Sequence, residues 1–330
     1  MKLPASVLPL LVLLLANAHL ANAEEALTLH QRFTVGKRYE FGMKMTQEST
    51  VAVGGQDVEQ KMNMAMKYSM TVTQHDDGKR KRAVFRYGRI AMEANTAGQT
   101  LAFDSDKPDD GPAAAPFASL RALVGKEVSM LLDENDKVLD VENFEEVMKE
   151  VSSSPAGKML GQFFNKESMK EMIQGSMLRS LPDHPVKPGE SWPLSFNAKM
   201  GPMASIAAKG TYTYNKPVEH EGHRCALIGF AATMDMDMDF AKIAGAAAGD
   251  DAQAAEAIKK MDLKISDTSM TGNVTFDAEL GTARLLEMVT KLKMTMKLPP
   301  EANLPDGQSE ITIPIKQILA LSLLALEDAK

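Results

Sequence analysis

Met62-Asn63-Met64-Ala65-Met66-Lys67-Tyr68-Ser69-Met70-Thr71-Val72 places a large apolar side chain at every even position and a polar or small one between. Side chains of a strand alternate between its two faces, so this period of two reads as a long strand with one face against a core. Upstream, Tyr39, Phe41, Met43 and Met45 alternate with Glu40, Gly42, Lys44 and Thr46 in the same way. Downstream, Asp77-Gly78 is a turn signal, and Ala83, Phe85 and Tyr87 open another strand. A shorter strand surrounds Leu101 and Phe103, ahead of a loop over 105–116. Strands joined by turns this short run antiparallel, which predicts a meander.

The middle of the chain changes period. A hairpin over Glu127 to Val141 turns at Asp133-Glu134-Asn135-Asp136. Asn143, with Glu146 three residues on, then reads as a helix cap. Phe144, Val147, Met148 and Val151 recur at helical spacing, and further helical stretches are expected over 155–164 and 167–178. Their apolar stripes need a partner, and the meander offers the large apolar surface.

From Pro188 the strand pattern returns with an internal echo. Gly36-Lys37-Arg38-Tyr39 and Gly189-Glu190-Ser191-Trp192 each put an aromatic three residues after glycine. Asp76-Asp77-Gly78-Lys79-Arg80 before Ala83-Val84-Phe85 is matched by His220-Glu221-Gly222-His223-Arg224 before Ala226-Leu227-Ile228. Beyond these lie Met234, Met236 and Met238 alternating with Asp235, Asp237 and Asp239, then an Ala-rich insert over 241–257. Strands are expected over 261–265 and 272–276, followed by a turn near Gly281 and an alternating run from Leu286 through Met294 and Met296 to Leu298. Pro299, Pro300 and Pro305 stiffen a connection to a last strand at Ile311, Ile313 and Ile315. Ile318 to Leu326 reads as a buried helix or strand. The fold class this predicts is α+β and antiparallel β-rich, with two related curved-sheet halves, 24–117 and 187–330, and a hairpin and helical segment over 118–186 between them.

The N-terminus carries Lys2, an apolar stretch from Leu8 to Ala16 and the small-residue sequence Ala21-Asn22-Ala23. That order is a secretory signal over 1–23, too short to span a bilayer, which directs the remainder to the periplasm or the extracellular space with no transmembrane anchor after cleavage. Lys2 leaves with the signal, so 36 basic and 44 acidic residues remain, a net charge of −8. An overall field of that sign supplies no general attraction to nucleic acid. Cys225 is the single cysteine of the chain, so no intrachain disulfide can form and the fold must hold through its core.

Twenty-four methionines are the compositional anomaly. As i, i+2 pairs on strands they line a core, or a groove for a lipid or an apolar peptide, at Met62, Met64, Met66, Met234, Met236, Met238, Met294 and Met296. Thioether ligands also suit Cu(I), so a Met-rich copper-binding protein is an alternative. His220, His223 and Cys225 are the compact trio of transition-metal ligands, although they straddle an expected turn and no metal is expected there. Asp235, Asp237 and Asp239 lack the glycine and glutamate of a calcium loop and read as a solvated face. No phosphate loop, serine elbow or metalloprotease signature is present, and no cofactor is expected.

The Gly-x-x-aromatic strand openings, the Leu132-Asp133-x-x-x-x-Val138 hairpin and Pro188-Gly189-Glu190-Ser191-Trp192 resemble uncharacterised secreted bacterial proteins of the DUF6263 type. That resemblance implies an envelope protein and brings no catalytic residues. Its lipoprotein members differ from this chain, which lacks a cysteine to carry a lipid. The expected role is a non-enzymatic envelope or secreted protein holding an apolar ligand; a periplasmic hydrolase of unknown substrate is the alternative from another class.

Overall fold

The computed structural model describes residues 26–53, 56–96, 98–108, 118–151, 165–167, 169–170, 181–200, 204–239, 262–297 and 310–329. The signal stretch, the helix expected over 155–164, most of that over 167–178, the Ala-rich insert and the proline connection lie outside these residues. The described strands are β1 (Lys37–Val53), β2 (Gln56–Gln74), β3 (Lys81–Thr96), β4 (Gln99–Asp104), β5 (Glu127–Leu132), β6 (Val138–Glu142), β7 (Ser191–Met200), β8 (Ala204–His220), β9 (His223–Met238), β10 (Asp262–Asp277), β11 (Thr282–Lys297) and β12 (Glu310–Asp328). Two helices, α1 (Ala118–Leu123) and α2 (Phe144–Val151), fall among them. Asn143 directly precedes α2, and its carbonyl accepts a hydrogen bond from Val147 N at 3.2 Å.

All twelve strands belong to one antiparallel sheet in the order β6-β5-β3-β2-β1-β12-β11-β10-β9-β8-β7, with β4 also on β3. The N-terminal and C-terminal strands meet at its centre, from Lys37 opposite Asp328 to Ser49 opposite Ile315. The two halves expected from the sequence are thus hydrogen-bonded into one sheet. β2 and β12 have 19 residues each, so each is about 60 Å long at a rise of ~3.3 Å per residue.

The internal echo has a physical counterpart. Gly36 and Gly189 both adopt positive φ, 81° and 86°, which glycine tolerates without a Cβ clash. Gly36 N donates to Val72 O on β2, and Gly189 N donates to Tyr214 O on β8. Tyr39 then stands opposite Met70, as Trp192 stands opposite Tyr212. Strands β1, β2 and β3 therefore correspond to β7, β8 and β9, with Phe85 and Phe230 next in line on the third strand of each.

Two expectations need correction. The separate strands expected over 261–265 and 272–276 are one strand, β10, whose register with β11 shifts between Ser266 and Ser269. The polar run Ser266-Asp267-Thr268-Ser269 breaks the alternation, and a bulge absorbs it with Asp267 at φ 50°. The stretches 311–315 and 318–326 are likewise one strand, β12, running through Pro314.

Buried side chains form two main cores on one face. Tyr39, Met70, Val72, Leu132 and Val141 pack with Phe144, Val147 and Val151 of α2 in the first half. Trp192, Tyr212, Tyr214, Phe230 and Phe276 pack with Leu29 and Val186 in the second. The segment before β1 straps the two together. Leu27 pairs with Val186, Arg32 N donates to Gly281 O, and Thr34 N donates to Tyr39 Oη. Phe33 N donates to Asp136 Oδ2 while Lys81 Nζ reaches both Phe33 O and the Asp136 carboxylate, at 2.9 Å.

Asp136 is the keystone of the strap, its side chain 3% exposed. Asp136→Ala would leave the Phe33 N–H without its acceptor and the Lys81 ammonium without its charge partner, holding only the Phe33 carbonyl. Breaking one side of a buried pair costs about 3–5 kcal/mol, and urea denaturation followed by circular dichroism is expected to show a loss at the lower end, because Lys81 keeps some water contact. The exposed Lys37–Asp328 pair makes the control, with Asp328→Ala expected to leave the midpoint unchanged.

Candidate functional site

Register places the methionines in rows that cross the sheet. Met92 stands opposite Met64, Met64 opposite Met45, Met45 opposite Leu319, and Leu319 opposite Met288. The same rung continues through Gly272, Phe230 and Tyr212 to Trp192. It crosses nine strands, about 38 Å at ~4.8 Å between neighbours. The adjacent rung runs Ile90, Met66, Met43, Leu321, Leu286, Val274, Ile228 and Tyr214. Gly272 is required where it stands, because a Cβ there would lie 2.5 Å from the Phe230 ring.

All eight candidate groove residues, Met62, Met64, Met66, Met234, Met236, Met238, Met294 and Met296, lie on this apolar face and are partly buried. They do not make one unbroken patch. A polar rung of Gln47, Gln317 and Thr290 passes between the Met45 level and Met294, and Gln317 Nε2 donates to Met45 Sδ at 2.7 Å. Along β1, β3, β7, β9 and β10 the aromatic residues lie toward the strap and the methionines toward the opposite end. Phe41 stacks on Tyr68 at 5.1 Å and Trp192 on Tyr212 at 5.7 Å. The indole N–H of Trp192 is buried without an acceptor among the described residues.

A groove of about 520 Å³ crosses β1 to β4 at the level of Met45, Met64 and Met92, with Lys44, Thr46, Asn63, Glu93 and Asp104, which alternation places on the face opposite the methionines, along it and Arg121 at its rim. Arg121 caps its rim, donating to Ser105 O and Lys107 O while its guanidinium lies 5.1 Å from the Phe103 ring centre. Asp104 is held by Arg89, which keeps its carboxyl well below the ordinary carboxylate range, near 2. The opposite face of the sheet is polar. Glu48, Lys61, Asp267, Lys293 and Lys316 line a second groove of about 710 Å³ there and form ion pairs across it.

The histidine and cysteine trio does not converge on a metal. Among the described residues no three His, Cys, Asp or Glu side chains form a metal-holding group. His220 and His223 flank the β8–β9 turn, where Glu221 and Gly222 take positive φ. Cys225 is buried, and burial followed by the Asp277 charge pushes its thiol up. His223 Nδ1 lies 3.7 Å from Asp277 Oδ2, but that carboxylate is already bonded by Arg284 Nε at 2.8 Å. A nucleophilic cysteine needs access and a lowered pKa; this one has neither. The burial and pairing of Asp136 and Asp277 are not legible in the sequence, where Asp136 reads only as a turn residue, since a buried carboxylate in a turn looks like any other turn aspartate.

Residues 78–283 match a family of unknown function, DUF6263. The chain belongs to that family. No curated protein matches this DUF6263 chain in sequence. Among solved structures it is similar to lipovitellin, in a structure describing lipid-protein interactions, at 11% identity and a TM-score of 0.46, covering 91% of this chain. The chain spans 26% of the length of that lipovitellin chain. It is also similar to the outer membrane protein OprG from Pseudomonas aeruginosa, at 8% identity and a TM-score of 0.21, covering 92% of this chain and 100% of that one. A putative outer membrane lipoprotein-sorting protein domain from Vibrio parahaemolyticus matches at 6% identity and a TM-score of 0.17, over 87% and 84%. No helix among the described residues of the DUF6263 protein is long and apolar enough to cross a membrane.

Two measurements test this chemistry. Cys225 should react with a thiol reagent only on unfolding, at the rate of global opening; rapid labelling of the native protein would contradict its burial. His184 hydrogen-bonds Asp183 at 3.2 Å and Glu190 at 3.1 Å, which raise its pKa in that order. Its contribution to stability is therefore full below the ordinary imidazole value of about 6.5 and is lost as pH rises through the elevated one. An NMR titration is expected to show the raised midpoint, falling back toward the ordinary value in Glu190→Gln.

Proposed function

We propose that this is an exported, non-enzymatic binding protein that holds an apolar ligand, a lipid chain or an apolar peptide, against the methionine-bearing face of its sheet. The observation that supports this reading is the Met92–Met64–Met45 rung, whose methionines share the apolar face and are only partly buried there. Methionine side chains are unbranched and polarizable, so a surface of them adapts to varied apolar partners. The aromatic rows nearer the strap supply rigidity, and the methionine end supplies an adaptable surface. The signal sequence supports delivery outside the cytoplasm.

Native mass spectrometry of protein recovered gently from its own compartment is expected to show a co-purifying apolar molecule and no stoichiometric copper. An environment-sensitive lipid probe is expected to bind the mature chain. Met64→Asn should weaken that binding about tenfold, the effect of ~1.4 kcal/mol lost by setting a polar group against an apolar ligand. Asp237→Asn, on the opposite face, should leave it unchanged. A ligand-free mass together with no probe binding would overturn the proposal.

A further inference from the structure

A third groove, of about 470 Å³, lies on the polar face near the strap end of β1, β2 and β3. Arg38, Lys67, Arg86 and Arg89 line it against Glu40 and Asp106, a local excess of positive charge on a chain whose mature charge is −8. Arg38 is paired with Glu40 at 3.0 Å, and Arg89 with Asp104 at 2.7 Å and Asp106 at 3.5 Å. Lys67 and Arg86 are exposed and form no ion pair among the described residues. That holds even though Glu127 stands opposite Arg86 across β3 and β5. Charges farther away than a Debye length, about 8 Å in physiological salt, are largely screened, so this excess acts locally despite the overall negative charge.

The floor is built to be open. Gly42 stands opposite Lys67 on β1, and Gly88 on the other side is so close that a Cβ there would lie 3.2 Å from the Lys67 carbonyl oxygen. Neither neighbour covers the lysine with a side chain. Leu324 leans over Gly42, with Cδ1 3.0 Å from where a Cβ would be, and is 52% exposed, more than the other exposed large apolar residues described. Val124 lines the groove with it. An unpaired ammonium and an unpaired guanidinium thus adjoin an uncovered apolar contact. Guanidinium and ammonium groups together recognise phosphate oxygens, and the leucine adds a reason for the anion to carry a chain.

We propose that this groove binds the phosphate headgroup of an anionic lipid, with Lys67 and Arg86 supplying the charge and Leu324 and Val124 the apolar contact. It lies on the opposite face from the methionine rung and does not depend on that reading. Isothermal titration of the full mature chain would compare dihexanoyl phosphatidate, dihexanoyl phosphatidylcholine and inorganic phosphate. Phosphatidate is expected to bind best, to weaken as salt rises, and to lose about tenfold or more in Lys67→Gln/Arg86→Gln, whose exposed, unpaired side chains leave the fold intact. Leu324→Ser should weaken phosphatidate and leave inorganic phosphate unchanged. Lys209→Gln, an exposed lysine on the same face but outside the groove, should bind phosphatidate as the wild type does; a loss there would reduce the effect to general charge and overturn the site. Equal binding of phosphatidylcholine, full retention in the double variant, or no binding of phosphatidate would also overturn it. Inorganic phosphate binding as tightly as phosphatidate would overturn the lipid assignment.

Discussion

The pairing of β1 with β12 is the constraint on which the rest depends. Each half carries its own hairpins and its own apolar cluster, and each ends in a strand with unpaired backbone groups. An open strand edge is a template for aggregation. By placing β1 and β12 side by side from Lys37 to Asp328, the chain covers these two edges and turns two meanders into one sheet whose remaining edges are β6 and β7. The contact is as non-local as the chain allows, so loop closure must precede it and slows its formation. No disulfide can take its place, because Cys225 is alone.

The strap then locks the seam from the end of the sheet. It reaches Val186 and Gly281 in one half and Asp136 and Lys81 in the other. Buried carboxylates sit at two of the hairpin turns, Asp136 with Lys81 and Asp277 with Arg284. Each has its charge paired and accepts backbone N–H groups, from Phe33 in one case and from Glu279 and Leu280 in the other. A buried charge is tolerated only when satisfied in that way. The result is a strap end where Tyr39, Trp192 and Phe276 are buried and an opposite end where Met62, Met236 and Met296 are only partly buried.

The two faces divide the chemistry. The apolar face offers thioethers and aromatic rings, whereas the other offers small residues, threonines and ion pairs. The proposed apolar site and the proposed headgroup site therefore use different sides of the same strands. Alternation makes this division unavoidable: once Met64 and Met66 face the core, Lys61 and Lys67 must face away.

Much of this was legible from residues alone. Strict alternation over 62–72 determined a strand and its buried face, the Gly-x-x-aromatic openings marked the repeat, and Asp77-Gly78 and the Asp133–Asp136 turn marked hairpins. What alternation cannot encode is which strands become neighbours across long sequence separations. The union of β1 with β12, the continuity of β10 through its bulge and of β12 through Pro314, the alignment of Met92, Met64 and Met45 into one rung, and the meeting of Lys67 and Arg86 with Leu324 were decided by the tertiary structure. The physical reason is that a period of two assigns each side chain to a face, while hydrogen-bond register between distant segments determines which side chains on that face touch.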